Sequence, residues 1–97
     1  MSDYSLLDQF EEYLVSRGYR SITPSGNRST TYDYAHSRIP FVLRQESISI
    51  QTLIRSINKY VTEYSVGGIK ADLGMKSHNA VINALKRFRE FIKDKKL

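Results

Sequence analysis

Apolar residues in this chain recur at intervals of three and four, the spacing that gathers side chains on one face of an α-helix. The clearest run is Leu53, Ile54, Ile57, Tyr60, Val61 and Tyr64. It predicts a helix from about Ile50 to Tyr64, with Ser49 as N-cap. Leu6, Leu7, Phe10, Tyr13 and Leu14 predict another over about Ser5 to Ser16. Ser2 or Asp3 can cap it, Asp3, Asp8, Glu11 and Glu12 suit its N-terminal dipole, and Gly18 offers a stop. Val81, Ala84, Leu85, Phe88, Phe91 and Ile92 mark a last helix that Ser77 would cap. Its opposite face collects Asn79, Asn83, Lys86, Arg87, Glu90 and Lys93.

A less regular helix is predicted from Ser29 or Thr30 to about Gln45, with Tyr34, Ser37, Ile39, Phe41 and Val42 inward. Pro40 lies inside it, so a kink or a break is expected there. "SVGGIKADLGMK" holds three glycines and admits one short helical turn near Lys70 to Leu73. The only strand-like stretch, "SISI", is too short to count. The pattern therefore specifies an all-α fold, a compact bundle of four to five helices. A chain of 97 residues makes it a single domain over 1–97.

Composition narrows the function classes. There is no cysteine, which removes disulfides and thiol catalysis. No apolar run is long enough for a membrane span. The acidic, then amphipathic N-terminus is unlike a secretory signal, so a cytoplasmic location is expected. His36 and His78 are far apart and neither has a ligand at the next helical turn, so no metal or other cofactor is expected. No nucleophile elbow or phosphate-binding loop is present. Glu11 and Glu12 are adjacent on a helix and read as a solvated face. Neither an enzyme nor a small-molecule substrate is indicated.

The net charge of +5 is unevenly spread. Residues 1–13 carry four acids and no base, while residues 76–97 carry seven bases and two acids. Lys76, Ser77, His78 and Asn79 surround the start of the last helix, and Lys86 and Arg87 continue its polar face. Arg28, Ser29, Thr30 and Thr31 surround the start of the second. Two such starts, each with hydroxyls and a base, are expected to lie side by side, where they would suit duplex phosphates. The alternative is ordinary capping with cations for solubility. Seven tyrosines offer stacking surfaces. Tyr60 and Tyr64 read as core or rim, and Tyr19 and Tyr32 as the freer pair.

The order "LLDQFEEYLVSRG", "STTYDYAHSRIPFVL", "SIQTLIRSINKYVTEY", "KSHNAVINALKRFREFI" resembles the N-terminal core-binding, SAM-like domain of tyrosine recombinases and phage integrases. The features shared are a first helix ending near Gly, a Thr-x-x-x-Tyr helix start at Thr30 and Tyr34, and a Ser-led last helix with Ala84, Leu85 and Phe88. The resemblance implies a SAM-like bundle forming half of a clamp on duplex DNA. It implies Arg28, Thr30, Thr31, Lys76, Ser77, His78, Asn79 and Lys86 as DNA-facing positions. A catalytic domain or another protein subunit would then be the partner. This chain departs from the family in its long "SITPSGNRS" connection, and the Arg…His-x-x-Arg…Tyr constellation is absent. A protein-interaction module with no nucleic-acid role is the competing expectation. In that case the acidic first helix and basic last helix could pair between copies.

Overall fold

Helix α1 (Asp3–Ser16) turns Leu6, Leu7, Phe10, Tyr13 and Leu14 inward, as its spacing predicts. The computed structural model describes residues 3–19 and 30–97. Capping by Ser2, the side chain of Asp3 and the candidate Arg28 all fall outside what it describes. Gly18 ends α1 in the left-handed region, with φ of 95°. Its N–H donates to the Val15 carbonyl and that of Tyr19 to the Leu14 carbonyl. This paired closure satisfies carbonyls that the helix end would strand, and it folds Tyr19 back over the bundle.

Three pieces then run head to tail: α2 (Thr30–Asp33), a π-turn (Tyr34–Arg38) and α3 (Ile39–Glu46). The interruption expected from Pro40 takes the form of this wider turn. Pro40 has no N–H to donate back along the helix, and it sits in the first turn of α3, where none is needed. Immediately before it, the Ile39 N–H reaches five residues back to the Tyr34 carbonyl. Helix α3 closes on Ser47, a non-glycine residue held at φ 54° and ψ 48°.

The third predicted helix is broken. Ser49 caps it as expected, its hydroxyl accepting from the Thr52 N–H at 3.2 Å. The run then divides at Ser56 (φ −115°, ψ 26°) into α4 (Ile50–Arg55) and α5 (Ile57–Tyr64). The apolar stripe crosses the break unchanged. A short α6 (Ala71–Gly74) stands where one helical turn is predicted, shifted by a residue.

The longest helix, α7 (Lys76–Lys95), packs against α1, the π-turn, α3, α5 and α6. Phe88 meets Phe10 edge-on at 5.0 Å between ring centres, and Phe91 lies 5.5 Å from Phe10. Burying these aromatic rings joins the first helix to the last, with edge-to-face geometry adding to the area removed from water. The radius of gyration is 12.7 Å, about that of a compact chain of this length. The fold is an all-α bundle; 81% of the described residues are helical and none of them is in a strand. No described helix is long and apolar enough to cross a membrane.

Candidate nucleic-acid interface

Two contacts fix how the second helical run lies on α7. The Tyr34 side chain lies against Asn83, the two lining one recess. Seven residues later, Phe41 receives the Lys76 ammonium over its ring, 5.1 Å from the centroid. The pairings 34 with 83 and 41 with 76 make the two elements antiparallel. The start of α2 therefore lies toward the middle of α7, not beside Lys76. This corrects the expected arrangement of two adjacent helix starts.

The candidate residues separate accordingly. Thr31 is fully buried, so it presents nothing to a ligand, and its hydroxyl has no hydrogen-bond partner among the described residues. It continues an inward stripe with Ala35, Ile39 and Val42, all at 0% exposure. Thr30 beside it is half-buried. Lys76, Ser77, His78 and Asn79 are exposed, but they do not form a helix N-terminus with Ser77 as cap. Ser77, His78 and Asn79 adopt left-handed angles with φ between 55° and 66°, and regular right-handed geometry starts after them. Only Met75 separates α6 from α7, so these three residues absorb the change of direction.

Farther along α7, the polar face does gather functional groups. Lys86 is half-exposed, with no acidic partner among the described residues. Arg87 is engaged instead: Nη1 donates to the Tyr19 hydroxyl at 3.0 Å, and Nη2 pairs with Glu90 at 3.0 Å. Its Nε is buried without a partner among the described residues. The hydrogen bond to Tyr19 leads the effects that hold this guanidinium charged. Tyr19, Tyr34, Asn83, Lys86 and Arg87 together line a recess of about 320 Å³. The Tyr19 and Tyr34 rings lie 6.3 Å apart, and burial pushes the Tyr34 hydroxyl above its ordinary pKa of 10.0. Among the described residues no carboxylate lines the recess.

Tyr19 and Asn83 were within reach of sequence reasoning. Tyr19 reads as free, and Asn83 shares the polar face with Lys86. Tyr34, read as an inner-face residue, is half-buried and turns its hydroxyl to the recess. No helical periodicity could pair it with Tyr19, which reaches it through the chain reversal at Gly18.

Elsewhere, His36 bridges the acids of α1. Its Nε2 lies 3.2 Å from Asp8 and 3.0 Å from Glu11. Glu11 is thus half-buried in a contact rather than freely solvated, while Glu12 is exposed. These three residues could together offer a cation one ligand atom each. No protein-family model, curated protein or solved structure matches this chain.

Proposed function

We propose that this bundle binds duplex DNA through backbone phosphates, using the outer face of α7. The supporting observation is a run of cations on that face. Lys86, Arg89 and Lys93 follow one another at three and four residues, and none pairs with a described acid. Sparse acids leave such a stripe to a polyanion, whose condensed counterions are released on binding. The resemblance to the core-binding domain of tyrosine recombinases implies the same ligand, and a free-standing relative of that domain would reach it here through α7 alone rather than through two adjacent helix starts.

The test is fluorescence anisotropy with several unrelated duplexes. Lys86→Ala should weaken all of them to a similar degree, because a phosphate contact carries no sequence information. A loss confined to one sequence would contradict the proposal. Arg87→Ala is less clean, since it also frees Tyr19 and Glu90.

A second reading, docking to another protein, is favoured by one feature. Val66 and Ile69, flanking the glycine pair, are 85% and 83% exposed. Val66→Ser combined with Ile69→Ser would abolish a protein complex detected by sedimentation, and would leave DNA binding intact.

A further inference from the structure

The recess at Tyr19, Tyr34, Asn83, Lys86 and Arg87 is concave and lined by hydrogen-bond donors. We propose that it receives the terminal 5′-phosphate of a DNA strand. This inference rests on the DNA-binding reading above and names the group that the site prefers.

The donors decide the ligand. Tyr19 oxygen already accepts from Arg87, so its phenolic proton is left to donate elsewhere, and the Tyr34 hydroxyl lies at the same recess beside Asn83. Lys86 adds an ammonium without a described acidic partner. Three donor groups, two phenols and an ammonium, thus line a space that no described carboxylate borders. An internal diester offers two free oxygens and one charge. A terminal monoester offers three oxygens and about −1.5 to −2 charges at neutral pH. The monoester is the better match in charge and in acceptor number.

The source is argued from what adjoins the recess. Arg89 and Lys93 extend from Lys86 along α7, over about 10 Å of helix axis at 1.5 Å per residue. A strand whose end is seated in the recess would meet these cations with its following phosphates. The Tyr19 and Tyr34 rings, half-buried and 6.3 Å apart, border the recess and offer a terminal base a surface to stack on. A phosphorylated peptide would share the phosphate but would make no use of a further cation row.

The experiment compares four probes with the full chain: a short duplex with 5′-phosphates, the same duplex with 5′-hydroxyls, a closed circular duplex and a phosphotyrosine peptide. The phosphorylated ends should bind about tenfold more tightly than the hydroxyl ends, the value of one charge-assisted hydrogen bond. Tyr34→Phe keeps the ring and removes only the hydroxyl. It should reduce that preference while leaving affinity for the circle unchanged, and Tyr19→Phe gives an independent check should one variant fold poorly. Equal affinity for the two kinds of end, with the circle bound, would overturn this inference and spare the reading beneath it. Failure to bind the circle, with phosphorylated ends still preferred, would overturn the backbone reading instead. Competition by the peptide as strong as that by the phosphorylated duplex would refute the assignment to DNA.

Discussion

At Gly74 a single hydrogen atom holds α6 against α5. A Cβ built there would fall inside the Tyr64 carbonyl, a backbone atom that cannot swing aside. In a helix interior alanine is ordinarily favoured over glycine by about 1 kcal/mol. Here the sign should reverse, and Gly74→Ala should lower the melting temperature in a thermal scan. Glu46 poses a titration question at the same point in the fold. Its side chain is 10% exposed and accepts from Lys70 Nζ at 2.6 Å and from the Tyr64 hydroxyl at 2.7 Å. Burial opposes the carboxylate, but the Lys70 and Tyr64 hydrogen bonds outweigh it and hold its pKa below the ordinary 4.5. The Lys70 pKa is raised above 10.5, chiefly by the same hydrogen bond. A carboxylate with a lowered folded pKa stabilises above its unfolded pKa, and that contribution is lost as pH falls through the folded value. A lysine with a raised folded pKa stabilises below 10.5, and its share fades as pH rises through the folded value. The contribution of the pair therefore spans the range between. Glu46→Gln should cost about 1–3 kcal/mol at neutral pH in urea unfolding. The cost should shrink toward acid, as the wild-type carboxylate loses its charge.

Among the helices, what the sequence disclosed depended on whether the relevant signal was local. The inward face of α1 and that of α7 were readable because every residue on them follows one period. Pro40 announced an irregularity, and the π-turn supplies it, since a missing N–H is visible in any sequence. The break at Ser56 was not readable, because the stripe from Leu53 to Tyr64 runs across it without a flaw. Thr31 misled for another reason. A hydroxyl at a helix start suggests a cap, yet counting on to Ala35, Ile39 and Val42 would have shown that it lies on the inner face. Left-handed helix ends were equally silent where the residue was not glycine. Ser47 holds φ at 54° while the Ile48 N–H closes on the Leu43 carbonyl at 3.1 Å. A side chain in that region costs about 1–2 kcal/mol that glycine escapes, against a loss of about 0.5–1 kcal/mol from the freer unfolded chain. Ser47→Gly should accordingly be neutral to stabilising by up to about 1 kcal/mol. Chemical denaturation would read this as a higher midpoint at unchanged slope.

Over the molecule as a whole, the acidic and basic ends of the sequence are brought together by the core. Helix α1 packs on α7 through Phe10, Tyr13, Phe88 and Phe91. Part of the acidity of α1 is engaged internally, since Asp8 and Glu11 both face His36. The charge surplus in residues 76–97 was plain from counting. Its arrangement was not, because the partner of each cation depends on chain crossings that no local pattern reports. Arg87 is tied to Tyr19 and Glu90, whereas Lys86, Arg89 and Lys93 are left facing outward. Salt dependence measures how many of these act together. Each phosphate neutralised on duplex DNA contributes about −0.9 to the slope of log affinity against log salt. Three cations acting along α7 should give a slope of about −3, most of it from counterion release. Lys93→Ala should make the slope shallower by about one. Glu90→Gln removes an acid beside the stripe and should raise affinity at low salt without steepening the slope by a full unit. A wild-type slope near zero would mean that the stripe does not neutralise phosphates and that binding, if present, has another source.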